Sequence, residues 1–194
     1  MTLAAGSGVA APVVGMDVGG TKIAAILVDG DDRLLAQRSV PTDGRPLGEQ
    51  VVAAARDLLD GLGADRRPAG IGIAVPGQVN SATGVVQMAV NLSLPPVPLA
   101  AIVGEGLGVP AFVDHDTRAA AAWLYQRSGG AGSLAYLSVG TGISAAVVVD
   151  GRLLRGVNGL AGEIGHLIAV DGGPPCACGL AGCLEAVAAG PAVA

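Results

Sequence analysis

Asp17-Val18-Gly19-Gly20-Thr21-Lys22-Ile23-Ala24-Ala25-Ile26-Leu27-Val28-Asp29-Gly30 decides the architecture, because the chain writes this passage twice. It returns as Val139-Gly140-Thr141-Gly142-Ile143-Ser144-Ala145-Ala146-Val147-Val148-Val149-Asp150-Gly151. After a short insertion in the first copy, Arg33-Leu34-Leu35 answers Arg152-Leu153-Leu154. Each copy reads as a strand, a Gly/Thr turn, a second strand, an Asp-Gly turn and a third strand. An internal repeat of this kind points to related sheets in two lobes.

The Asp-Gly pairs are ordinary hairpin turns. The Gly/Thr turns hold more permissive residues than a hairpin end needs. Gly19, Gly20, Gly140 and Gly142 carry no Cβ, so backbone N–H groups there can approach an anion closely. Thr21 and Thr141 add hydroxyl donors. Glycine-rich hairpins without a ligand are the plainer alternative. The duplication, with Asp17 just before the first turn, favours two turns gripping one polyphosphate from opposite sides.

Between the copies, Leu47, Val51, Val52, Ala55, Leu58, Leu59 and Leu62 fall at helical spacing over Pro46 to Gly63, with Gly61 and Gly63 as the stop. Gly70 to Val75 reads as a buried strand, and Pro76-Gly77 as a turn. Val79 to Pro98 reads as loop, with Asn91 isolated within it. Leu99 to Leu107 reads as a short helix, Ala111 to Asp114 as a strand and Thr117 to Arg127 as a helix. Helices alternate with buried strands after the opening hairpins, so the class is α/β. Asp116 then sits where a strand ends and a helix begins, the place where open α/β sheets bind ligands. Asp114 or Asp116 could simply cap the helix, but capping needs only one of them. With the phosphate turns nearby, Asp116 is the candidate general base.

The 194 residues carry a net charge of −5 and are 51% hydrophobic, ample for a core built mostly of small side chains. Phe112, Trp123, Tyr125 and Tyr136 are the only aromatic residues. An acidic, aromatic-poor chain lacks the basic patches and stacking platforms of a nucleic-acid binder. Lys22 is the only lysine. No apolar run has the length of a membrane span, so no membrane partner is expected. Residues 1–12 are small and uncharged, without the positive start of a signal peptide. They read as a disordered lead on a cytoplasmic protein.

His166, Cys176, Cys178 and Cys183 offer one imidazole and three thiolates, a complete tetrahedral zinc set. Gly179 and Gly182 let the backbone curl so that Cys183 can reach the same ion. Free thiols are the alternative, since three cysteines cannot all pair and no oxidising compartment is indicated. Four protein ligands leave no open position, which favours a structural over a catalytic ion. Glu163 and Glu185 flank the set and would be presented to a ligand by the loop it shapes.

At these residues the chain resembles the ROK family (repressors, open reading frames and kinases) of the actin/hexokinase/Hsp70 superfamily. Asp17 to Lys22 matches its first phosphate motif and Gly140-Thr141-Gly142 its second. Glu163…His166 and Cys176-x-Cys178-Gly179-x-x-Gly182-Cys183-x-Glu185 match its zinc signature. The resemblance implies an actin-like (ribonuclease H-like) ATPase fold, with mixed sheets in two lobes around a cleft. Residues 13–114 would form the N-terminal lobe and 115–194 the first part of a second lobe. It implies phosphoryl transfer from ATP-Mg to a hexose hydroxyl, in the manner of a glucokinase. Asp116 would take the hydroxyl proton, and Asp17 would act on magnesium or its waters. Gly77, Asn91, Glu163, His166 and Glu185 would contact sugar hydroxyls, and a homodimer is implied. A non-catalytic sugar-binding protein of the repressor branch is the alternative.

Three departures stand out. His115 replaces the Asn usual before the catalytic Asp, though an imidazole can still bond a sugar hydroxyl. Ser144-Ala145-Ala146 replaces further glycines, so an added Cβ would crowd a phosphate or face the core. The chain stops at Ala194, where family members continue for another ~100 residues or more, about a domain. The second lobe is therefore expected to be incomplete.

Overall fold

The computed structural model describes residues 11–60, 67–89 and 95–193. The chain divides into two compact units, with the boundary between Asp116 and Thr117.

The first unit is built on a five-stranded mixed sheet of order β3-β2-β1-β4-β7. β1 (Val13–Val18), β2 (Lys22–Val28) and β3 (Leu34–Pro41) form the antiparallel opening meander. β4 (Ile71–Val75) and β7 (Ala111–His115) run parallel to β1. Alternation places Val14, Met16 and Val18 of β1, and Ile23, Ala25 and Leu27 of β2, on one buried face. Against that face lies α1 (Leu47–Leu59), which buries Leu47, Val51, Ala55 and Leu58 at the predicted helical spacing. α2 (Leu99–Leu107) adds Leu99 and Val103 and stops at Gly108. Each fully buried aliphatic side chain of this core contributes about 1.5–3 kcal/mol. α1 ends at Leu59, ahead of the glycines expected to stop it; residues 61–66 lie outside the described residues.

Val79 to Pro98 departs from the loop expectation. It holds a hairpin of β5 (Gln78–Asn80) and β6 (Val85–Met88), with Val79 and Val86 both buried. Asn80 closes the turn by accepting from the Ala82 N–H through its side chain, at 3.1 Å, and from the Gly84 N–H through its carbonyl, at 2.8 Å. Strands this short carry too little alternation to stand out beside a run of prolines. Asn91 lies outside the described residues.

The second unit carries the repeat. β8 (Leu134–Val139), β9 (Ile143–Val149) and β10 (Arg152–Leu153) form a three-stranded antiparallel sheet. The Asp150-Gly151 turn has φ of 46° and 75°, the doubly left-handed turn that matches strand twist and that Asp-Gly favours. The rest of α3 (Asp116–Arg127) packs Ala121 and Tyr125 against Ala146, Val148 and Leu153. This core is far smaller than that of the first unit. The 3-10 turn Ile164–His166, α4 (Leu184–Ala188) and α5 (Gly190–Val193) complete the unit.

Because α1 seats a 1%-exposed Leu58 against the first sheet, Leu58→Ala should cost about 2–5 kcal/mol in urea denaturation. Phe112→Ala, at a ring 62% exposed on edge strand β7, should stay within about 0.5–1 kcal/mol of wild type.

Candidate functional site

Strand register assembles the first group of candidate residues. β1, β4 and β7 are parallel and in step, with Asp17 opposite Ala74 and Ala74 opposite Asp114. Their C-terminal ends therefore share one edge of the sheet. That edge carries Asp17, the Gly19–Thr21 turn, the Pro76-Gly77 turn and His115-Asp116. The Gly19 N–H donates to the Lys22 carbonyl at 2.9 Å, closing the first turn. Thr42 braces it from the end of β3: its hydroxyl donates to the Gly19 carbonyl at 2.8 Å and its N–H to the Thr21 carbonyl at 3.0 Å. Gly20, Thr21 and Lys22 face solvent.

Asp17 and Asp116 are close enough to feel each other. The Asp17 carboxyl is held above the ordinary carboxylate range, first by desolvation and then by the negative charge of Asp116, with Lys22 opposing. Two carboxylates beside one ammonium form an anionic site that suits a hard cation. His115 is buried, and its Nδ1 lies 3.0 Å from Asp116 Oδ1. Its backbone N–H donates to Asp114 Oδ1 at 2.8 Å. The imidazole thus orients the carboxylate that follows it, and Asp116 keeps a side chain 44% exposed toward solvent. Gly77 has φ of 93°, and a Cβ there would collide with the Met88 carbonyl, so the turn after β4 requires glycine.

In the second unit, Gly140, Thr141 and Gly142 join β8 to β9, and the Gly140 N–H donates to the Gly142 carbonyl at 2.9 Å. Gly140 and Thr141 are exposed. The Ser144-Ala145-Ala146 departure lies along β9, outside the turn. Ser144 Oγ meets Thr117 Oγ1 at 2.5 Å, Ala145 N–H donates to the Gly162 carbonyl at 2.8 Å, and Ala146 is buried. Sequence reasoning passed over Arg118. This side chain is 1% exposed, and its Nη1 donates to the Gly159 carbonyl at 2.8 Å, fixing the loop that leads into Glu163. An arginine set among alanines on the buried face of a helix was the available signal. Glu163 opens the 3-10 turn that presents His166.

His166, Cys176, Cys178 and Cys183 converge, with ligand atoms all within 4.8 Å of one another. Cys176 Sγ lies 3.7 Å from His166 Nδ1, and Cys178 Sγ lies 3.6 Å from Cys183 Sγ. A tetrahedral zinc with ordinary bond lengths places sulfurs about 3.8 Å apart and sulfur about 3.6 Å from nitrogen. The donor set and its spacing fit that ion. Burial, then the neighbouring thiols, push the Cys183 thiol up to about 12. The Leu180 N–H leads the factors that lower Cys178. A buried thiol so reluctant to ionise alone becomes a thiolate once a cation replaces its proton.

Mixed α/β units that each contain a strand, a glycine turn and a second strand define the class, the actin-like ATPase fold. The sequence matches the ROK family over residues 13–194, and the chain belongs to that family. It is 34% identical over 189 residues to the glucokinase of Halalkalibacterium halodurans, covering 93% of this chain and 57% of that protein. The ROK hexokinase of Thermus thermophilus superposes with a TM-score of 0.77 at 41% identity, over 94% of this chain and 61% of its own. The ROK glucokinase of Streptomyces griseus, solved with glucose and AMPPNP, gives 0.77 at 34% identity, over 94% and 58%. A ROK transcriptional regulator homologous to the E. coli MLC protein gives 0.85 at 27% identity, over 94% and 48%. The chain thus spans about three fifths of the length of the curated relatives it matches.

With zinc held in this knuckle of His166, Cys176, Cys178 and Cys183, elemental analysis of purified protein should find one zinc per chain. Cys183→Ser should release it, because this ligand is fully buried and anchors the start of α4. Full zinc retention in Cys183→Ser would remove that residue from the ligand set.

Proposed function

We propose that this protein transfers the γ-phosphoryl group of ATP to a hexose hydroxyl, with Asp116 as general base. The observation that carries the reading is the grouping of Asp17, Lys22 and Asp116 at the C-terminal edge of the parallel strands. Family membership and likeness to glucokinases support it.

In this reading a sugar hydroxyl lies against the exposed side of Asp116. The carboxylate accepts its proton as the oxygen attacks the γ-phosphorus. A new P–O bond forms while the bond to the β-phosphate oxygen breaks and ADP leaves. Positioning and charge neutralisation supply most of the rate. His115 fixes the Asp116 rotamer through Nδ1 and shapes the sugar side of the site. The backbone of Gly19–Lys22 and of Gly140–Gly142 donates to phosphate oxygens, with Lys22 as the nearby cation. Asp17 holds magnesium directly or through water; the ion, when bound with ATP, neutralises phosphate charge. Gly77, Asn91, Glu163, His166 and Glu185 contact sugar hydroxyls. Zinc at His166, Cys176, Cys178 and Cys183 is structural, and an imidazole ligated through Nδ1 can present its other nitrogen to the sugar. We further read the protein as a cytoplasmic homodimer, as the family resemblance implies. Among the described residues no helix is long and apolar enough to cross a membrane.

The likeness to a transcriptional regulator favours a second reading, a sugar-binding protein without catalysis. Asp116→Asn separates the two. For a kinase, kcat should fall by about 10²–10⁴-fold while calorimetric sugar affinity stays within a few-fold of wild type. If no member of a hexose panel is phosphorylated by the wild-type protein while sugar still binds, the regulator reading replaces the kinase.

The raised Asp17 pKa gives a separate expectation. Its ionised form is disfavoured in the folded chain, so Asp17 subtracts stability as pH rises through that elevated value. At neutral pH, Asp17→Asn should therefore raise the melting temperature of the ligand-free protein. The same variant should weaken magnesium-nucleotide binding at least ~10-fold, a loss of about 1.4 kcal/mol. Undiminished nucleotide affinity would take Asp17 out of the cation site.

A further inference from the structure

We infer that Glu185 is a positioning residue that ties the cysteine knuckle to the Gly140–Gly142 turn, so that metal occupancy sets the geometry of that turn. The consequence for nucleotide rests on the phosphate-binding reading of the turn given above; the tie itself does not.

The tie can be followed atom by atom within the second unit. Cys183 is fully buried and is the residue on which α4 begins. Two residues on, Glu185 Oε2 accepts the backbone N–H of Ile143 at 2.8 Å. Ile143 is the first residue of β9, directly after Gly142. A carboxylate bonded to an amide is a charge-assisted contact, stronger than a neutral one. Gly142 is what admits it: a Cβ there would lie 2.6 Å from Glu185 Oε2. Gly165, beside His166, gives the same oxygen room on its other flank, where a Cβ would lie 3.2 Å away. Two backbone bonds reinforce the arrangement. The Leu184 N–H donates to the Leu167 carbonyl, next to His166, at 2.8 Å. The Gly190 N–H donates to the Gly140 carbonyl at 2.8 Å.

Cys183 therefore stands on the segment that carries Glu185, and His166 on the segment that flanks its carboxylate at Gly165. An ion bonded to both holds those segments together, and the carboxylate passes their position to the turn. Without the ion, Glu185 retains only the short helix α4 and a few backbone bonds to fix it. Glycine at position 142 then has a reason beyond an approaching phosphate. Glu185 can serve a sugar as well, since only Oε2 is committed to Ile143.

Amide hydrogen exchange at Ile143 and across residues 140–142 tests this in zinc-loaded protein, in protein stripped by a chelator, and in variants. Chelation and Glu185→Ala should each speed exchange at Ile143 at least ~10-fold. Glu185→Gln keeps an acceptor oxygen and should stay near wild type. Gly142→Ala, which places a methyl group against the carboxylate, should speed exchange with zinc retained; it keeps the test open if Glu185→Ala does not fold. AMPPNP affinity should fall several-fold in Glu185→Ala and recover in Glu185→Gln. Exchange at Ile143 that is unmoved by chelation and by both disruptive variants overturns the inference. If exchange moves as expected but AMPPNP fails to bind even the wild type, the tie stands and the phosphate reading of the turn falls.

Discussion

Parallel pairing of β1 with β4 and of β4 with β7 is the constraint on which the rest depends. It sets Asp17, Ala74 and Asp114 in one row across the sheet. One residue of slip in either pairing would turn Asp17 or His115 to the other face of the sheet. The apolar alternation of Val14, Met16 and Val18 against α1 forbids that slip, because it would send those side chains into water. Core packing thus fixes which acidic groups share an edge. The electrostatic conflict between Asp17 and Asp116 follows from that packing, and it falls at the site proposed above for a cation.

Much of this was legible in the sequence. Strand, glycine turn and strand appear in both units, because turn chemistry and alternation are local signals that agree with each other; the tight Asp-Gly turn forms only in the second copy, since in the first the insertion makes a longer loop from Asp29 to Arg33 with Asp32 as its left-handed residue. α1, α2, β4, β7 and α3 were readable from period, caps and glycine stops for the same reason. The convergence of His166 with the three cysteines was readable from residue chemistry alone. The β5–β6 hairpin was not, since its burial of Val79 and Val86 comes from packing against distant elements rather than from its own short pattern. Arg118 was missed because a buried arginine is defined by a carbonyl forty-one positions away, at Gly159. The His115–Asp116 contact lay in adjacent letters, yet only the strand-to-helix junction shows that the two side chains meet.

The two copies of the glycine turn are braced by different means. Gly19–Lys22 is held by Thr42, from the strand that continues its own meander. Among the described residues no threonine plays that part for Gly140–Gly142, which is gripped instead by Glu185 and Gly190 from segments more than forty residues later. A brace within one meander forms with the meander itself. A brace from a distant segment must first pay the entropy of closing a long loop. In the zinc reading proposed above, an ion held by ligands from residues 166–183 would offset that cost where the intervening chain is rich in glycine and poor in apolar contacts.

The size of the two cores sharpens this point. The first unit buries a continuous aliphatic cluster of strands and helices in addition to the Thr42 brace on its turn. The second unit, over the described residues, gathers only Ala121, Tyr125, Ala146, Val148 and Leu153 as its buried apolar cluster. The segment that carries Cys183 is bonded both to its own loop, through Leu184 and Leu167, and to the sheet of the second unit, through Glu185 and Ile143. The link through Glu185 to the first residue of β9 is the path by which, in the inference drawn above, coordination at Cys183 would order the glycine turn.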